Sequence, residues 1–410
     1  MLAALRDGHF LSAARARAYA TILFVGMGAA LAYGYVSLAL GHHPWGQSSG
    51  APGRPGASDF LAFWTAGRLA LQGSAQSAYD LTRLNVEEHA TAVLPPNAVL
   101  AFFYPPTFLL LCLPFAALPY LAGFAAFVGT QTVVLVACLR RILPAGWGYL
   151  PVLAFPGLLM NAATGQNGFV SAACFAGALL LLGRRPVVAG ACLGLLIVKP
   201  HLALAVPVAL LVARRWSALA ACGLSAASLA LLAWAVLGGA AWTAFFDATP
   251  AIRAALEQHA EDWGKLQSLF TTARLLGAPL PLAYLAQAAL AAGVLVALAC
   301  ACVRRPGAAG EVALMAAAAM LCTPHLLDYD LAVTGVPLAW LAREAAERGW
   351  RPWEKLIGAV VFVWPMIGRV LTQSYGVAVA PILLFLLFAV VWRRVRSLPG
   401  TAPVLAGQQR

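Results

Sequence analysis

Asp59 stands in Gly56-Ala57-Ser58-Asp59-Phe60-Leu61-Ala62-Phe63-Trp64, an acid among aromatic residues just beyond the first long apolar run. A carboxylate at that place can take a proton from an alcohol, and it can also cap the first turn of a helix. Acids are scarce here: the 410 residues include 15 Asp and Glu against 27 Lys and Arg. Other chemically capable groups come as short polar clusters that interrupt apolar sequence. They are Gln166-Asn167 between two glycines, Lys199 ahead of Pro200-His201, Trp263 near Lys265, and His325 through Asp328 and Asp330. Amides suit hydroxyl groups, and lysine is a compact charge suited to phosphate.

The elements that must position these groups are membrane helices. Hydrophobic residues make up 62% of the chain and charged residues 10%, where a soluble domain carries about 25% charged. The apolar runs have helical length and lack β-barrel alternation. The net charge of +12 does not point to nucleic acid. Arginines come as pairs at span ends (Arg140-Arg141, Arg184-Arg185, Arg214-Arg215, Arg304-Arg305, Arg393-Arg394), so anionic membrane lipid is the expected partner. The eight cysteines show neither C-x-x-C nor Cys/His metal spacing, and read as small core hydrophobes. No cofactor and no metal site is expected. The first apolar run, 18–40, reads as a retained span rather than a cleaved signal.

Placing every basic cluster in the cytoplasm gives one path of roughly twelve spans with both termini inside. Residues 41–106 form a long first outer loop and 107–139 a returning span. A hairpin with 165–168 at its outer tip follows, then one with Lys199-Pro200-His201 at its tip, then a span at 216–238. A second outer loop covers 239–280, with Trp242 and Phe245-Phe246 as an interfacial aromatic belt. A span at 281–303, a hairpin with 324–330 at its tip, and a last hairpin turning at 373–376 complete the path. Residues 1–396 make one domain, and 397–410 a cytoplasmic tail expected to be disordered. The second and third hairpins have arms of roughly 13 residues, about 20 Å, short of the roughly 30 Å hydrocarbon core. Their polar tips are therefore expected to sink into an outward-opening cavity beneath the first loop. Within that loop 60–72 reads as a helix ended by Gly73, with Asp59 as N-cap or first-turn acid.

Read in order, Asp59-Phe60, Phe63-Trp64, Ala66-Gly67, Gly73, Tyr79-Asp80, Tyr104-Pro105-Pro106, Leu113-Pro114, Gly165-Gln166-Asn167-Gly168, Ala189-Gly190, Gly194 and Lys199-Pro200 resemble glycosyltransferase family 87. The resemblance runs over about 55–330. It implies an all-α polytopic protein with the type C glycosyltransferase fold. It also implies transfer of a hexose, most often mannose, from a polyprenyl-phosphate donor to a lipid or glycan acceptor at the outer face of a bacterial inner membrane. The family's acid in the first outer loop maps to Asp59. Its late Pro-His motif maps to Pro324-His325, with acids following where a second His is usual.

Such a reaction needs a base for the acceptor hydroxyl and a cationic site for the leaving phosphate. Asp59 is the expected base, and Lys199 and His325 the expected phosphate ligands. Gln166, Asn167, Asp328, Asp330, Tyr104 and Trp263 are the expected substrate contacts. Asp328 and Asp330 face apart on a helix and together in an extended tip; they could order a sugar, ligate a metal or pair with a base. A flippase or solute transporter would also tolerate sunken polar tips, and a polysaccharide ligase also has many spans. The long one-sided loop favours the enzyme over the transporter, and the scattered loop arginines disfavour the ligase.

Overall fold

The computed structural model describes residues 2–41, 54–95, 98–258, 263–304 and 307–398. The coil from His42, the loop residues His259, Glu261 and Asp262, Arg305, and the tail from 399 lie outside the described residues. Among the described residues there is no β-strand, only the isolated bridges Gly56–Val93 and Leu266–Leu327.

The short α1 (Leu2–Asp7) precedes α2 (Ala13–Ala39), whose first turn is capped by Ser12 accepting from the Arg15 amide at 3.3 Å. The outer loop then folds as α3 (Phe60–Leu71), a 3-10 turn at Ala75–Tyr79 and α4 (Leu81–Thr91). Residues 81–91, read from the sequence as loop, are helical because Asp80 caps them. Its carboxylate accepts from the Thr82 and Arg83 amides at 2.9 and 3.3 Å, which meets two of the donors every helix start leaves open.

The apolar stretch 107–139 is not one span. It divides into α5 (Pro106–Ala116) and α6 (Tyr120–Ile142). Pro119 lies between them at φ −53 and ψ 146, where a residue without an amide hydrogen ends one helix and starts the next. Next come α7 (Leu150–Leu153), α8 (Pro156–Thr164), α9 (Gly168–Leu181) and α10 (Pro186–Gly194). Two 3-10 turns, Leu195–Val198 and Pro200–Ala203, lead into α11 (Ala205–Val212). The second outer region is mostly helical. After α12 (Trp216–Leu237), α13 (Gly239–Glu257) carries Phe245 onto the Tyr79 ring at 5.7 Å. Phe245 thus ties the two outer segments together instead of facing lipid, while Phe246 stays exposed. A turn at Trp263–Lys265, α14 (Leu269–Leu275), α15 (Leu280–Cys302), α16 (Ala308–Cys322), a 3-10 turn at Asp328–Thr334, α17 (Gly335–Arg348), α18 (Glu354–Tyr375) and α19 (Ala380–Arg396) complete the chain.

Among the described residues five helices are long and apolar enough to cross a membrane: α2, α6, α12, α15 and α18. Only 11% of the apolar window of α12 is buried in the protein, as a lipid-facing helix requires. The core is aromatic where the outer loop meets the bundle. Phe60, Phe63, Phe108 and Phe127 are buried against one another with ring centroids 5.0–6.5 Å apart. Each buried ring contributes about 1.5–3 kcal/mol, so α3 is bound firmly and its first residue has a fixed place. Arg394 and Glu354, both 0% exposed, pair at 2.5 Å between α19 and α18. Arg215 grips Glu311 through two bonds of 3.0 Å.

The outer loop also buries an acid. Glu88 on α4 is 0% exposed and accepts from the Leu100 amide at 2.9 Å. Burial pushes its carboxyl up to about 7, against the smaller opposite effect of that bond. A carboxyl raised on folding stabilises the loop fully below the ordinary carboxylate range, and the gain is lost as pH rises through about 7. Thermal unfolding in detergent is therefore expected to give a higher Tm at pH 5.5 than at pH 8. Glu88→Gln should flatten that slope, and an unchanged slope in the variant would assign it to another group.

Candidate active site

Asp59 sits at the N-terminal boundary of α3 but does not cap it. Its backbone is helical, at φ −59 and ψ −22, and its side chain makes no cap bond. The Leu61 amide instead donates to the Ser58 carbonyl at 2.9 Å. Ser58 is in turn held by Tyr120, its amide 3.1 Å and its hydroxyl 3.0 Å from the phenol oxygen. The side-chain cap that the sequence allowed is thus absent, because Asp59 has helical φ and ψ where a capping residue is extended. The freed carboxylate accepts from Gln166 Nε2 at 2.9 Å.

Gln166 is delivered by the tip between α8 and α9. Gly165 ends α8 at φ +72, the left-handed conformation that glycine adopts freely. A Cβ on Gly168 would stand 2.1 Å from the Tyr329 carbonyl oxygen, so only glycine fits. That approach is locked by Asn161, fully buried on α8. It donates to the Tyr329 carbonyl at 2.8 Å and accepts from the Gly168 amide at 2.8 Å. Asn161 carries no signal in the sequence, because a lone Asn in an apolar helix gives none until its partners are in place.

The 3-10 turn at 328–334 sends its two acids to opposite sides. Asp328 faces a small pocket whose walls are Asp59, Met160, Thr164, Lys265, Asp328, Tyr329 and Arg369. Its free volume is about 10 Å³, about that of one water. A sugar can therefore enter only if these side chains separate. Asp330 turns inward to Lys199, 2.5 Å away, with the pair 0% and 1% exposed. His201 Nε2 lies 3.9 Å from the other oxygen of Asp330. Lys199 occupies the break between the two 3-10 turns at φ −139 and ψ 72, outside the α region that a following proline disfavours. Its ammonium lies 4.4 Å from the Tyr329 ring centre and 5.6 Å from that of Tyr104. The Tyr329 hydroxyl is 2.9 Å from that of Tyr104, which donates to Asn167 Oδ1 at 3.4 Å. Tyr329 is therefore a partition, with the Asp59 pocket on one side and the Lys199–Asp330 pair on the other.

The remaining expected residues fall further out. His325 packs edge-on against Phe270 at 5.4 Å and lies 3.4 Å from the Tyr284 hydroxyl. Tyr284 donates to Glu257 at 2.6 Å, and Arg253 bonds the same acid. Trp263 is buried, with the Arg274 guanidinium over its ring at 5.8 Å. Neither His325 nor Lys199 is among the residues that line the pocket. Gln166 Oε1 and Asn167 Nδ2 are buried and have no hydrogen-bond partner, which marks them as groups a ligand could satisfy. Among the described residues no three His, Cys, Asp or Glu side chains gather as metal ligands.

Over half of the chain, residues 102–324, matches the profile of glycosyltransferase family 87. The chain belongs to glycosyltransferase family 87. It is a membrane glycosyltransferase. No curated protein matches it. In this family 87 protein the matched segment holds Met160, Thr164 and Lys265 of the pocket. Asp59, Asp328, Tyr329 and Arg369 lie outside it. The sequence carried one signal for Arg369. It sits in the apolar run Met366-Ile367-Gly368-Arg369-Val370, and an ionisable residue inside a span is a functional candidate by default.

Proposed function

We propose that this protein transfers a hexose, mannose by preference, from a polyprenyl-phosphate donor to a glycolipid or glycan acceptor, with Asp59 as the base. The observation that carries the reading is the free carboxylate of Asp59. It is spared from capping, held by Gln166 at 2.9 Å, and faces a pocket that also contains cations. The bond from Gln166 engages Oδ2, which leaves Oδ1 to accept the proton of an acceptor hydroxyl. The deprotonating oxygen attacks C1 of the sugar. The bond between C1 and the phosphate oxygen breaks, and the electron pair leaves on the lipid phosphate. The unsatisfied Gln166 Oε1 and Asn167 Nδ2 supply an acceptor and a donor for sugar hydroxyls. No cofactor enters this scheme.

The reading places roughly twelve crossings in a bacterial inner membrane, with both termini cytoplasmic and the Asp59 loop outside. A cysteine at position 59 should then react with an impermeant maleimide added to intact spheroplasts, and one at position 185 should be protected. The reverse pattern would invert the topology and remove the outer-face reaction. The direct test of function is purified protein in nanodiscs, incubated with polyprenyl-phosphate-mannose and a panel of glycolipid acceptors. Sugar transfer is expected for at least one acceptor. Hydrolysis alone, or inertness with every acceptor, would count against the assignment.

A further inference from the structure

Two cations stand in the Asp59 pocket, Lys265 from the polar cluster around Trp263 and Arg369 from an apolar span, and neither is among the phosphate ligands expected from the sequence. We infer that Lys265 and Arg369 together form its phosphate subsite, and that the ligand group is a phosphate ester leaving from the sugar. This rests on the glycosyl-transfer reading and goes beyond it in naming the residues that receive the leaving group.

Their placement is built into the fold. Lys265 is positioned by a bridge between the second outer segment and the hairpin tip. Leu266 pairs with Leu327, and the Gln267 amide donates to the Leu326 carbonyl at 2.7 Å. Gln267 Oε1 then accepts from Trp364 Nε1 on α18 at 3.2 Å. Arg369 lies on that same helix, so one residue, Gln267, couples the two cations' supports. Both are half-buried at the pocket wall, and both act electrostatically on Asp328, with Arg369 the stronger. An arginine within an apolar span is tolerated where it lines a protein cavity, and Arg369 does so.

Burial separates these two from Lys199. The Lys199 ammonium is matched by Asp330 at 2.5 Å in a pair closed to solvent. Serving as a phosphate ligand would require it to leave Asp330 buried and uncompensated, which is strongly unfavourable. Lys265 and Arg369 already face the space that Asp59 faces. The chemistry also calls for two charges. A sugar phosphodiester carries one negative charge. When the C1–O bond breaks, the electron pair passes to the phosphate, which becomes a monoester of about −1.5 to −2 at neutral pH. A guanidinium fork and an ammonium together match the charge that develops in that step.

The test is the affinity of the full-length protein in nanodiscs for undecaprenyl monophosphate, the product form of such a donor. Undecaprenol and inorganic phosphate are the companion probes. Arg369→Gln and Lys265→Gln are each expected to weaken undecaprenyl monophosphate binding about tenfold or more, the usual effect of losing one charge-assisted contact. Undecaprenol should bind weakly and equally to all forms. Lys199→Gln/Asp330→Asn, which removes the inner pair together, should bind within about threefold of the parent. Arg369→Lys keeps the charge and loses the fork, so an intermediate loss is expected, and it serves if Arg369→Gln does not fold. If the charge-removing variants keep their Tm and bind the lipid phosphate within twofold while the parent transfers sugar, this inference falls and the transferase reading stands. If the parent binds inorganic phosphate through these two residues but not the lipid form, the subsite stands and the lipid donor falls. If the parent binds no phosphate in any form, both fall.

Discussion

Asp59→Asn is expected to fold as the parent does and to transfer sugar at least about a hundredfold more slowly, the usual loss on removing a general base. A hundredfold is about 2.7 kcal/mol of transition-state stabilisation. The fold should survive because nothing structural depends on the charge. The side chain makes no cap bond, the first turn is held by the Ser58 carbonyl, and an Asn oxygen can still accept from Gln166. Asp59→Ala should be as slow and should leave the Gln166 amide without its acceptor, a further loss of about 1–3 kcal/mol in stability if no water replaces it. The measurement is initial rate under saturating donor and acceptor, with Tm measured alongside. Near-parental turnover from a folded Asn variant would remove Asp59 as base and turn attention to Asp328, the other carboxylate of the pocket.

Lys199→Met should cost about 3–5 kcal/mol of stability, because it strands a buried carboxylate. Asp330 is 0% exposed, and the imidazole of His201 lies 3.9 Å away. The same change removes the ammonium beside the Tyr329 ring, 4.4 Å from its centre. Lys199→Met combined with Asp330→Leu should recover most of the lost stability, since paired apolar replacements of buried ions are often neutral or better. Denaturant or thermal unfolding in one detergent would compare the forms. A single variant that loses less than about 1 kcal/mol would mean that Lys199 carries no buried pair and is free for a ligand.

Lys199 shows how far sequence reading reached. Its location was legible, since a proline after a lysine in apolar sequence marks a break and a polar group held inside the protein. Its partner was not. Asp330 lies 131 residues away, and whether it faces Lys199 or Asp59 depends on the turn type at 328–334. A 3-10 turn sent Asp328 and Asp330 apart, whereas an extended tip would have sent both one way. Asp59 was legible as an acid at the start of a helix, and residue type alone left capping and catalysis open. The structure answers the first of these alone: Asp59 has helical φ and ψ and its side chain makes no cap bond. The span drawn over 107–139 failed because average hydropathy weighs apolar length and ignores what Pro119 does to a backbone.

The sequence by itself determined the class of molecule and the main landmarks. Scarce charge and long apolar runs make a helical membrane protein, since only hydrogen-bonded backbone enters lipid. Two glycines around Gln166-Asn167 make a tight tip, and an ordered set of short motifs points to the family. The tertiary structure decided which residues meet at the candidate site. Asp59, Gln166, Lys265, Asp328 and Arg369 come from five separate segments, joined by the Leu266–Leu327 bridge, the Asn161 lock on Tyr329 and the bond from Trp364 to Gln267. No local pattern encodes such pairings, because helix and turn preferences act over a few residues. Which charges meet across a core depends on how the whole set of faces packs at once.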